Sequence, residues 1–131
     1  MIVVDASVVV NMLLDDGDDG RRSRERLAAE ASQHAPGLLD VEVVSALRRS
    51  LGRGLSTEQV AGEAVADLAD LCIQRHPHRA LLPRIWELRH NLTPYDAVYV
   101  ALAEVLGAPL VTADAKLAGA SGLRCNVEVL A

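Results

Sequence analysis

The stretch that most limits what this chain can become is residues 93–107. It carries both ends of a helix: Thr93 suits the N-cap, Pro94 the first helical position and Gly107 a left-handed position past the last turn. Between those ends the residues are apolar on nearly every face, which predicts a central, largely buried helix. Two acids interrupt it. Asp96 stands three residues after Thr93, where a capping-box acid stands and where the helix dipole favours negative charge. Glu104, near the far end, has no such reason. Burying a carboxylate costs about several kcal/mol unless something compensates it, so the rest of the chain must account for both.

Around this helix the sequence alternates between short strands and helices. Residues 1–4 (Met, Ile, Val, Val) read as a strand buried on both faces, ended by Asp5, Ala6 and Ser7. A helix over 8–14, capped by Asp5 or Ser7, leads to an acidic loop at 15–20. As a calcium loop that stretch fails, because its third position is Gly17 and its twelfth is Arg26. Residues 21–32 read as a one-sided helix and 34–39 as a turn with a two-residue strand. Asp40 is expected to cap a helix through Leu51, with Leu39, Val43, Leu47 and Leu51 facing inward and Glu42 in the first turn. A capping box at 56–59 opens a helix to Leu71, with Val60, Ala64, Leu68 and Leu71 inward. Residues 71–73 read as a short strand, 75–78 as a turn and 80–90 as a helix including Trp86. After the central helix come a strand over 108–112, Asp114 with a short helix through Ala118, and a final edge strand over 126–130. Such alternation implies right-handed βαβ units, a parallel sheet of about four to five strands and helices on both faces, a three-layer α/β/α domain. No linker divides it, so residues 1–131 are expected to form one domain.

Half of the residues are hydrophobic, yet there is no Phe, one Trp and two Tyr, so the core is expected to rest on Val, Leu and Ala. No apolar run has the length of a membrane span, and Asp5 directly follows the opening apolar residues with no basic leader, unlike a signal peptide. Cys72 and Cys125 lack metal or redox spacing and are expected to be small buried side chains in a cytoplasmic protein. The net charge of −5 argues against coating nucleic acid by bulk charge. It leaves a nuclease open, because acids gathered around a metal contribute to the deficit. All the basic residues except Lys116 are arginine, the better phosphate fork.

Parallel sheets bind ligands at the carboxyl ends of their strands, near the point where the strand order reverses. Asp5 and Asp114 end strands there, and Glu42 and Asp96 begin helices that open on the same edge. Each acid alone has an innocent reading as a cap or dipole partner. Four on one rim would repel one another and raise their own pKa values, a conflict that a hard divalent cation removes; oxygen-only ligands select Mg2+ or Mn2+ over zinc.

With Ile2 to Ser7, Glu42 in a Val/Leu-rich helix, Tyr95-Asp96-Ala97 followed by residues 99–103, and residues 110–114 followed by Lys116-Leu117, the chain resembles the PIN-domain ribonucleases. Within them it is similar to the VapC-type toxins of toxin–antitoxin pairs. The resemblance spans essentially the whole chain. It implies a metal site of Asp5, Glu42, Asp96 and Asp114, with Ser7 and Thr112 as supporting hydroxyls. It further implies Mg2+- or Mn2+-dependent endonucleolytic cleavage of RNA to a 5′-phosphate and a 3′-hydroxyl, a VapB-type antitoxin that covers the site, and a homodimer. Arg48, Arg49 and Arg53, clustered near the end of the Glu42 helix, are candidate phosphate contacts. The acidic stretch at 15–19 is not accounted for by the resemblance.

Rival readings fare less well. A haloacid-dehalogenase phosphatase wants Asp where Ser7 stands. A response-regulator receiver needs a phospho-acceptor Asp in the region of residues 47–57, which has none. A non-catalytic PIN-fold adaptor for RNA or protein would tend to lose part of the acidic set, and all four are here. A DNA-directed or housekeeping nuclease is the remaining alternative.

Overall fold

The computed structural model describes residues 1–130. Five parallel strands form one sheet in the order β3-β2-β1-β4-β5: β1 (Ile2–Val4), β2 (Gln33–Pro36), β3 (Ile73–His76), β4 (Leu110–Thr112) and β5 (Val127–Val129). The helices are α1 (Ala6–Leu14), α2 (Asp18–Ala28), α3 (Leu38–Gly52), α4 (Glu58–Asp70), α5 (Leu82–Glu87, preceded by a 3-10 turn), α6 (Pro94–Leu106) and α7 (Ala115–Ala118). They cover both faces, giving the three-layer α/β/α arrangement. β1 is central: β2 and β3 lie to one side of it, β4 and β5 to the other, so the reversal falls between β1 and β4.

The α6 helix behaves as its ends dictate. The Thr93 hydroxyl accepts from the Asp96 N–H at 3.3 Å, Pro94 occupies the first turn, and Gly107 takes φ 63° past the end. Residues 97–103 are all buried, and the helix packs across β1, β2 and β4. Each Val or Leu buried there contributes about 1.5–3 kcal/mol. The core is indeed Val, Leu and Ala, with Tyr99 its bulkiest fully buried side chain.

Glu104 finds its partner in α5. Arg84 donates to both of its oxygens (Nε–Oε1 2.7 Å, Nη2–Oε2 3.1 Å), and the Arg124 N–H donates at 2.8 Å. Burial pushes this carboxyl upward, but those hydrogen bonds and the charges of Arg84 and Arg124 outweigh it and hold it below its ordinary value.

Several expectations are corrected. The acidic stretch 15–20 is not all loop, because Asp18 and Asp19 begin α2, where the helix dipole welcomes them. Asp15 accepts from Gly17 N at 2.7 Å and Gly20 N at 3.2 Å, satisfying donors that the helix start would leave orphaned. A Cβ at Gly20 would sit 1.8 Å from the Asp15 carbonyl oxygen, so glycine is required there. Residues 33–36 form a full strand, and the expected turn at 75–78 lies partly in β3, because both segments pair along their lengths. The pairing brings two imidazoles into hydrogen-bond contact, His34 Nδ1 and His76 Nε2 being 2.8 Å apart.

Asp40 is not a cap. Helix α3 starts earlier, at Leu38, so Glu42 lies past its first turn, and Asp40 pairs with Arg75 at 2.9 Å. Arg75 also donates to the carbonyls of Leu68, Leu71 and Ile73, closing the end of α4. The α4 cap is Thr57 rather than Ser56, accepting from Val60 N. The inward stripe becomes Ala61, Ala64 and Leu68, leaving Val60 exposed and Leu71 half-buried. The helix over 80–90 is shorter than expected, and Trp86 is exposed with Arg89 stacked on its ring at 4.6 Å. Cys72 is exposed and Cys125 is half-buried at the margin of the core, and both are free thiols.

Candidate active site

All four acids line one cleft of about 440 Å³ at the carboxyl ends of β1 and β4. Asp5 is the innermost, 8% exposed. Two hydroxyls donate to its Oδ2, Ser7 Oγ at 2.6 Å and Thr112 Oγ1 at 2.8 Å. Each hydroxyl in turn accepts a backbone N–H from the segment after β4: Ala113 N to Ser7 Oγ and Asp114 N to Thr112 Oγ1, both at 3.0 Å. The brace ties the ends of β1 and β4 together and fixes how the Asp5 carboxylate is turned. It spends both donors on one oxygen, and no described residue donates to Oδ1.

Asp114 caps α7 through Lys116 N at 2.9 Å and is exposed at the cleft mouth. Asp96 projects from the first turn of α6, half-buried. Burial raises its pKa, the charges of Asp5 and Asp114 raise it further, and the Thr93 hydrogen bond offsets part of this. Glu42 is also raised, first by burial and then by Asp5 and Asp96, while Tyr99 and the charge of Arg49 oppose the shift. The Tyr99 hydroxyl donates to Glu42 Oε1 at 2.6 Å.

Among the described residues no three His, Cys, Asp or Glu side chains are gathered closely enough to hold a metal ion as they stand. The chemistry of the donor set nevertheless fits a hard cation. Every donor is a carboxylate oxygen, and Asp96 and Glu42 carry a repulsion from neighbouring acids that a divalent cation would relieve.

The PIN domain family profile matches residues 2–123. The chain belongs to the PIN-domain family. Ribonuclease VapC1 of Mycobacterium tuberculosis (strain ATCC 25618 / H37Rv) is 43% identical over 129 residues, spanning 98% of this chain and 96% of the relative. Within the PIN-domain family the chain therefore groups with the VapC ribonucleases. Two solved structures share the fold. Mycobacterium tuberculosis VapC20, described as a Sarcin-Ricin loop cleaving toxin, has TM-score 0.73 at 18% identity, over 94% of this chain and 96% of that one. VapBC2 from Rickettsia felis, bound to a DNA fragment from its promoter, has TM-score 0.71 at 15% identity, over 100% of both chains.

Of the residues singled out in the sequence, this PIN domain brings Asp5, Ser7, Glu42, Asp96, Asp114 and Arg49 to the cleft, with Thr112 buried directly beneath. Arg48 instead lines a groove between α3 and α4, and Arg53 lies at the C-cap of α3. Two participants were missed. Tyr99 reads only as core until its hydroxyl is seen to donate to Glu42 of α3, and Asn11, which lines the cleft from α1, has no local sequence signal.

Thr112→Val tests the brace. Valine keeps the shape but leaves the Asp114 N–H without its acceptor and Asp5 with one donor. The expected result is about a 10–100-fold fall in kcat for RNA cleavage with little change in KM. An unchanged kcat would remove Thr112 from the site.

Proposed function

We propose that this chain is a Mg2+- or Mn2+-dependent endoribonuclease of the VapC toxin type. The observation that carries the reading is the convergence of Asp5, Glu42, Asp96 and Asp114 on one cleft, two of them with pKa values raised by burial and then by the charge of the others. Asp5, Asp96 and Asp114 would hold the cation, with Glu42 beside them. Bound there, a divalent ion would supply an activated water and stabilise charge on the phosphate oxygens. The protein's own groups do the rest. The Ser7–Thr112 brace aims Asp5, and Tyr99 holds one oxygen of Glu42, leaving the other to take the proton of the attacking water. Burial holds the Glu42 carboxyl above its ordinary value, which makes it a better proton acceptor than an exposed glutamate. Water adds to phosphorus as the P–O3′ bond breaks, and the departing 3′-oxygen takes a proton from solvent, leaving a 5′-phosphate and a 3′-hydroxyl.

A VapB-type antitoxin, a homodimer and a cytoplasmic setting belong to the same proposal. Solved relatives crystallised as toxin–antitoxin assemblies support the first. An apolar groove of about 490 Å³ beside the cleft, rimmed by exposed Val41, Leu82 and Tyr95, supports a protein partner. No described helix is long and apolar enough to cross a membrane.

The test is incubation of the purified protein with a structured RNA and with DNA of matching sequence. The expected result is RNA cleavage with Mn2+, none with EDTA, recovery on adding Mn2+ back, and intact DNA. Cleavage that survives EDTA would sink the metal assignment. A protein that binds RNA without cutting it would be an adaptor.

A further inference from the structure

Arg49 is the one cation among the residues lining the acidic cleft. It lies on the same face of α3 as Glu42 and Ala46, at i+7 and i+3, and the three form one wall of the cleft. Its charge reaches Glu42, yet it makes no ion pair with any described acid. Its one hydrogen bond is from Nη1 to Ser45 Oγ at 3.0 Å, one turn back along the helix, which leaves most of the guanidinium fork unspent. An arginine placed merely to neutralise the acids would close on one of them. Arg49 is held short of them instead, exposed at the rim. Its neighbours in sequence differ: Arg48 turns to the α3–α4 groove and Arg53 sits at the helix end, neither on the cleft wall. The cleft lining contains no aromatic ring, so stacking of bases against its walls is absent and grip must come from polar and charged groups.

We propose that Arg49 binds a phosphate of the RNA strand flanking the cleaved bond, seating the strand so that the scissile phosphate lies over the four acids. The inference rests on the nuclease reading above and names the substrate contact within it. Arg48 and Arg53 are excluded from that role.

The experiment measures binding of a fluorescent single-stranded RNA to protein carrying Asp96→Asn, which prevents cleavage, across a salt series. Adding Arg49→Gln is expected to weaken binding about 10-fold and to lower the salt slope by about 0.7, the value for one phosphate contact on a single strand. Arg49→Lys is expected to keep the slope. Arg48→Gln and Arg53→Gln are expected to stay within about twofold of the parent. Equal losses from all three arginines would mean bulk charge and overturn the proposal, as would an unchanged slope in Arg49→Gln. Melting curves of each variant separate a binding loss from misfolding. Wild-type protein that fails to cut RNA with Mn2+ overturns the nuclease reading itself, whereas cutting with a normal Arg49→Gln slope overturns only the Arg49 contact.

Discussion

Asp96→Asn is expected to reduce RNA cleavage about a thousandfold or more while leaving the metal-free fold as stable as the parent or more so. The two outcomes come from one cause. Burial, and then the charges of Asp5 and Asp114, hold the Asp96 carboxyl above its ordinary value, so its ionised form is disfavoured in the folded state. A group raised in this way contributes stability that is fully present below its unfolded pKa and lost as pH rises through its folded pKa. In EDTA the melting temperature of the variant should therefore match the parent in acid. It should gain on the parent as pH rises from the ordinary carboxylate range toward neutrality. The substitution keeps the backbone N–H that bonds Thr93, so the helix start survives. Cleavage within tenfold of wild type would mean that Asp96 is not part of the reacting site.

Glu104→Leu is expected to do the opposite: to damage the fold and spare the chemistry. The Arg84 and Glu104 side chains are 18% and 11% exposed, and the substitution leaves the Arg84 guanidinium without its main partner and the Arg124 N–H without an acceptor. Breaking one side of such a pair costs about 3 kcal/mol, or about 10 °C in melting temperature for a domain of this size. Adding Arg84→Met should recover much of it, because an apolar pair avoids the desolvation that two charges suffer. Eight residues separate Glu104 from Asp96 along α6, about 12 Å of helix. Cleavage per folded molecule should therefore be unchanged. A single-variant loss under about 1 kcal/mol would show that the pair is too well solvated to matter.

The positions of Asp5, Asp96 and Asp114 are legible in the sequence because each stands where an element begins or ends, and parallel sheets gather those points at one edge. The same logic reads the caps of α6 directly from Thr93, Pro94 and Gly107. What stays hidden depends on pairs distant in sequence. Tyr99 donates to Glu42 across 57 positions, and Arg84 meets Glu104 across 20, with no local pattern marking either. Strand β2, whose residues are Gln, His, Ala and Pro, has no β-branched side chain to announce it. It is a strand because β1 and β3 pair with it on either side. Start points of helices also slipped where more than one capping residue was available, as with Gly37 against Asp40 and Thr57 against Ser56.

The brace between β1 and β4 also sets when the site can exist during synthesis. The hydroxyl of Thr112 that turns Asp5 is made 107 positions after it, and the carboxylate of Asp114 beside it later still. Until then β1 has a neighbour on one side only, and the strand that completes the cleft has not been made. A chain stopped anywhere short of Thr112 carries at most three of the four acids and no assembled cleft. The fold thus withholds its active centre from the machine that is building it until β4 has emerged.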